Sequence, residues 1–133
     1  MLSPSIDTFR LFLHVLAASV WVGGQVVMAG LVPRLRGLGP EVTKAAANGF
    51  ARVAWPAFGI AFITGMWNLF EVPSSAATSY HMTLGIKVLL VVAAGASAAV
   101  HSQTANKAVL AATGAIGMLA SLVAMFFGVL LAS

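Results

Sequence analysis

The chain has 133 residues, of which 60% are hydrophobic and 8% are charged, whereas a soluble domain carries about 25% charged residues. This composition excludes a soluble globular domain and predicts an integral membrane protein. Lys and Arg number seven against three Asp and Glu, and cysteine is absent. Without cysteine the chain has no disulfides, thiolate metal sites, iron–sulfur clusters or covalently attached c-type haem.

Four apolar stretches are long enough to cross a bilayer, for which about 20 residues suffice. They lie near residues 9–32, 50–70, 82–102 and 108–132. They fill residues 1–133 as one domain, so the sequence predicts an all-α integral membrane protein, an antiparallel four-transmembrane-helix bundle. The first stretch lacks the basic leader and cleavage site of a signal peptide and is expected to remain in the mature protein.

Basic residues are concentrated in alternate connections. The connection between spans one and two carries Arg34, Arg36, Lys44 and Arg52. Lys107 lies between spans three and four, while Glu71 and no basic residue lies between spans two and three. The positive-inside rule therefore places both termini outside the cell inner (plasma) membrane. Basic residues near span ends fit anionic lipid headgroups and not nucleic acid.

Span one has a polar face, expected to point toward the other three helices because polar side chains avoid lipid. The members of this face lie within about 40° of one another on a helical wheel. They are Arg10, His14, Ala18, Trp21, Gln25 and Met28. In span two, Pro56 is expected in the first turn, where a missing N–H is tolerated.

Span three contains a buried charge. Lys87 is the only charged residue between Met82 and Val100, and a lysine at the centre of a membrane helix costs about 2.5 to 3.5 kcal/mol. An intramembrane lysine is therefore a functional-site hypothesis. Lys87 shares a helical face with Ala94 and His101, whereas His81 lies about 120° away.

His14 is the first candidate ligand, because imidazole commonly binds haem iron. A haem b between helices needs an axial imidazole, small residues that admit the flat ring, and cations for its propionates. Spans two and four supply glycines, and Arg10 and Lys87 supply cations. The sequence thus predicts haem b, with His14 as iron ligand and Arg10, Trp21 and Lys87 beside it.

Depth ranks the remaining ligands. Counted from the outer end of each span at 1.5 Å per residue, His14 lies about 6 Å deep, His81 about 2 Å, Lys87 about 10 Å and His101 about 30 Å. One porphyrin cannot bridge His14 and His101. His81 is therefore predicted as the second axial ligand if one exists, and His101 serves a separate cytoplasmic-side metal site or none.

These residues also have plainer interpretations. Lys87 could extend its ammonium outward to the interface. His81 and His101 lie at span ends, where an amphipathic ring is comfortable. His14 could be a hydrogen-bonded structural histidine.

The first helix resembles a known family through Leu13, His14, Trp21, Gly23, Gly24, Pro33, Arg34 and Leu35. This string is similar to the first helix of the copper-resistance D (CopD) membrane family and of the related HemJ-type protoporphyrinogen oxidases. Leu84, Lys87 and His101 continue the resemblance. It implies a small helical membrane protein that binds haem b through His14 and depends on Lys87.

Three functions stay open. The first is electron transfer or porphyrin redox chemistry by a membrane oxidoreductase, with a redox partner protein or small-molecule donor. The second is a copper-handling permease or permease subunit, although no M-x-x-M pair is present and Cu(I) prefers clustered soft ligands. The third is a structural subunit of a larger membrane complex, and self-association is compatible with each.

Overall fold

A computed structural model describes residues 3–133, which form four α-helices and no strand. The helices are α1 (Ile6–Arg36), α2 (Pro40–Phe70), α3 (Thr78–Gln103) and α4 (Lys107–Ala132). Each is long and apolar enough to cross a membrane. The predicted all-α fold with four transmembrane helices is confirmed.

The first two helices are longer than the predicted spans. Each has 31 residues and is therefore about 46 Å long, whereas the hydrocarbon core of a bilayer is about 30 Å thick. The basic residues expected in a long connection are consequently helical, and only residues 37–39 connect α1 to α2. A helix that leaves the hydrocarbon can continue through the interface, so the predicted spans at residues 9–32 and 50–70 lie inside α1 and α2.

Pro56 also departs from expectation. Because α2 begins at Pro40, Pro56 lies in its interior and not in its first turn. Pro33 is likewise inside α1. Membrane helices tolerate interior prolines because neighbouring groups and local adjustments satisfy the freed carbonyl.

The described residues up to Val72 form one compact unit, hairpin 1, in which α1 packs against α2. Ser5 caps α1 through a reciprocal bond with Thr8. Gly39 makes the tight turn into α2 with a φ of 124°, a conformation that favours glycine. The short connection makes α1 and α2 antiparallel neighbours.

Residues Pro73–Ser133 form a second compact unit, hairpin 2, in which α3 packs against α4. The Asn106 side chain caps α4 by accepting bonds from the Ala108 and Val109 amides. A Cβ added at Gly117 would lie 3.4 Å from the Ser97 Cβ. Gly117 and Ser97 therefore lie where α3 and α4 contact each other.

Candidate functional site

The Nδ1 of His14 contacts α2. Its Nδ1 lies 3.0 Å from the Ala61 carbonyl oxygen and 3.0 Å from the Thr64 Oγ1. A carbonyl oxygen only accepts, so Nδ1 carries the hydrogen and donates it. The Thr64 hydroxyl donates to the Ile60 carbonyl at 2.6 Å, which leaves its oxygen to accept from His14. In a neutral imidazole the lone pair then lies on Nε2.

The His14 ring packs against Gly65 of α2. A Cβ added at Gly65 would lie 3.1 Å from the His14 Cε1 and 3.6 Å from its Nδ1. The imidazole therefore lies close to the α2 backbone, in space that a larger residue would occupy. We call this arrangement of carbonyl, threonine and following glycine around a histidine the histidine clasp.

The polar face of α1 contacts α2 through His14 and Trp21, and the expectation that it also faces the other two helices stays a prediction. Trp21 is buried, and its ring centroid lies 4.6 Å from that of Phe58 and 5.6 Å from that of Trp55. Together with His14, this contact places two members of the face against the partner helix. Hairpin 1 thus has an aromatic cluster two helical turns from His14 on the same side of α1.

Arg10 is paired with carboxylates. Its guanidinium lies 3.0 Å from an Asp7 carboxylate oxygen and 3.6 Å from one of Glu71, and 5.5 Å from the centre of the Trp67 ring. The side chain is 10% exposed, and its buried Nε has no hydrogen-bond partner among residues 3–133. A propionate at Arg10 would compete with these two carboxylates, and the predicted cofactor contact stays a prediction.

Lys87 faces α4. A Cβ added at Gly128 would lie 3.1 Å from the Lys87 Nζ, so the half-buried ammonium lies over a glycine. The face that Lys87, Ala94 and His101 were predicted to share is confirmed, because Ala94 and His101 also lie against α4. Within the described chain, Lys87 has no hydrogen bond and no ion pair.

His101 has its own clasp in hairpin 2. Its Nδ1 lies 2.9 Å from the Leu110 carbonyl oxygen and 3.3 Å from the Thr113 Oγ1. A Cβ added at Gly114 would lie 3.1 Å from the His101 Cε1. His101 as a whole is exposed. His101 is therefore fixed in place although it lies near the end of α3.

His81 is different from both. It is exposed near the start of α3, and its ring meets the edge of the neighbouring Tyr80 at 6.3 Å between centroids. Neither ring nitrogen has a hydrogen-bond partner among the residues described. Its predicted role as a second axial ligand stays a prediction.

The clasps were missed in the sequence, although a signal for them was present. The dipeptide Thr-Gly occurs twice, at residues 64–65 and 113–114, once in the second helix of each hairpin. Nothing in the periodicity of α1 or α3 indicates that a histidine pairs with that dipeptide. The signal becomes meaningful once the register between the paired helices is known.

The donor set decides which cofactor fits. No group of three or more His, Asp or Glu side chains comes together within residues 3–133, and bare transition metals usually need three or four protein ligands. Haem supplies four nitrogens itself and needs one imidazole. A single clasped histidine therefore fits haem.

Comparison with protein-family models, curated proteins and solved structures found no match to this chain.

Proposed function

We propose that this chain is a membrane haem b protein in which His14 is the axial ligand, with an electron-transfer or porphyrin-redox role. The observation that supports this most directly is the His14 clasp. Histidines that bind metals almost always donate their other ring N–H to a carbonyl or carboxylate, which fixes the tautomer and raises the basicity of the ligand. His14 donates its Nδ1–H to the Ala61 carbonyl and the Thr64 hydroxyl in this way.

A haem in this site would supply one-electron chemistry at its iron. The protein's part is to orient His14 through Thr64, to leave room at Gly65 and to keep water away. The apolar helices and the buried Trp21 serve the last purpose. Because an electron must arrive and leave, we also propose a redox partner protein or small-molecule donor. The resemblance to the CopD and HemJ-type group agrees with this proposal.

The absorption spectrum of the detergent-purified chain, first oxidised and then reduced, tests the proposal. A Soret band with reduced-state α and β bands is expected, at a stoichiometry of at least one haem per chain. Copper bound without haem would favour the copper-handling permease. Neither haem nor copper, after expression with added haem precursor, would favour a structural subunit.

Lys87 is proposed to bind a carboxylate of haem or of a porphyrin substrate. Its ammonium has no anionic partner within the described residues, and an uncompensated lysine in a span costs about 2.5 to 3.5 kcal/mol. A propionate would offset that cost through a charge-assisted hydrogen bond. Gly128 makes room for the Lys87 side chain, because a Cβ there would lie 3.1 Å from the Nζ.

We expect Lys87→Met to weaken haem retention about tenfold or more, since one charge-assisted bond contributes about 1.5 to 3 kcal/mol. The ligand bands should keep their positions because the iron ligand is unchanged. Haem transfer to excess apomyoglobin measures the retention. Lys44→Met, which removes an exposed cation, is the matched control, and Lys87→Arg should retain more haem than Lys87→Met. Equal retention by Lys87→Met and the wild type would show that Lys87 only extends to the interface.

The orientation is proposed from charge. Arg34, Arg36 and Lys44 lie around the connection at residues 37–39, which we place in the cytoplasm, with both termini outside an inner (plasma) membrane. A reporter fused after Ser133 is expected to read as external, and one inserted after Leu38 as cytoplasmic. The reverse pair of readings would overturn the orientation.

A further inference from the structure

The His101 clasp repeats the His14 clasp bond for bond. The distance from Nδ1 to the carbonyl oxygen is 3.0 Å at His14 and 2.9 Å at His101. The distance from Nδ1 to the threonine oxygen is 3.0 Å and 3.3 Å respectively. A Cβ on the glycine would lie 3.1 Å from the ring Cε1 in both.

The two clasps also share a register. In each, the accepting carbonyl belongs to the residue three positions before the threonine, and the glycine follows the threonine directly. Both threonine hydroxyls donate to the carbonyl four positions back, Thr64 to Ile60 at 2.6 Å and Thr113 to Val109 at 2.7 Å. Each threonine oxygen is thereby left as an acceptor for the imidazole N–H.

The helices do not need these bonds. Ala61 and Leu110 lie inside α2 and α4, where a backbone carbonyl already accepts from the amide four residues later. The additional bond therefore gives the imidazole Nδ1–H an acceptor and fixes the tautomer of the ring. This places the lone pair of a neutral His101 on Nε2, the ring nitrogen that does not bond to Leu110 or Thr113, and the residue is exposed.

We propose that His101 is the axial ligand of a second haem b, so that the chain holds one haem at each clasp. The proposal rests on the proposed function, since it extends the role of His14 to a second clasp. A single haem shared by both histidines is disfavoured, because their predicted depths of about 6 Å and about 30 Å differ by more than a porphyrin spans. Haem is favoured over a bare ion because the clasp offers one nitrogen donor.

Haem stoichiometry in four proteins tests this proposal. A pyridine haemochrome assay is expected to give two haems per chain for the wild type, one for His14→Ala, one for His101→Ala and none for the double variant. A redox titration of the wild type should show two transitions, of which each single variant loses one. Two haems that both persist in His101→Ala would overturn the proposal.

Other outcomes separate this proposal from the proposed function. One haem in the wild type, lost in His14→Ala and kept in His101→Ala, would overturn the second haem and support His14. No haem in the wild type would overturn both.

A milder substitution tests the same site in case His101→Ala does not fold. Thr113→Val keeps the side-chain shape and removes the oxygen that accepts from His101, so the second haem should be retained about 10- to 100-fold less tightly. Thr83→Val, which removes a bond to the Ser79 carbonyl on α3, is the matched control and should leave both haems in place. Unchanged retention in Thr113→Val would contradict the proposal.

Discussion

His14→Ala is expected to remove the haem proposed to bind at His14, with loss of its Soret absorbance, while the protein remains inserted in the membrane. Haem loss and membrane insertion can be told apart because the mutation affects haem binding strongly and the stability of the helix pair only weakly. An interhelical hydrogen bond in a membrane averages about 0.6 kcal/mol, so losing the bonds to Ala61 and Thr64 should be tolerated. Losing the proposed iron ligand removes the protein's bond to the iron.

The measurement is the reduced-minus-oxidised spectrum of equal amounts of membrane-inserted protein. Leu13→Ala, a truncation of the exposed neighbour, is the matched control and should keep the wild-type spectrum. Added imidazole should restore absorbance to His14→Ala, because a free ligand can occupy the space left by the side chain. A His14→Ala spectrum identical to that of the wild type would exclude His14 as the ligand.

Much of the fold could be predicted because hydropathy directly reports membrane helices. The four spans that the sequence places lie within α1 to α4, and each of these helices is long and apolar enough to cross a membrane. The faces of His14 and Lys87 were also predictable, since 3.6 residues per turn determine which side chains share a side. The lengths of the helices were not predictable, because residues such as Lys44 are polar enough for a loop and yet compatible with a helix.

The partners of these side chains could not be predicted, for a different reason. A helical wheel gives the direction of a side chain but not the level at which it meets the next helix. The sequence therefore left His101 with an interfacial interpretation, whereas the register of α3 against α4 places it on Thr113. The partner of Arg10 could not be predicted either, because its pairing with Glu71 depends on where α2 ends relative to α1.

Gly65 offers a test that leaves the ligand itself intact. A Cβ at this position would be 3.1 Å from the His14 Cε1, closer than most carbon contacts. Alanine therefore forces the ring or the helices to move by a few tenths of an ångström. Leucine adds three further carbons in the space of the imidazole, so the ring must leave its clasp.

We expect Gly65→Leu to lose the haem bound at His14 almost as completely as His14→Ala does, and Gly65→Ala to lose a smaller fraction. Haem content per inserted chain is the measurement. Gly49→Leu is the matched control, because Gly49 is exposed on the same helix and a Cβ there meets no described atom within 4 Å. If Gly65→Leu retains as much haem as Gly49→Leu, His14 does not need its clasp to bind iron. The geometric basis of the proposed function would then fail even if His14 itself proved to be a ligand.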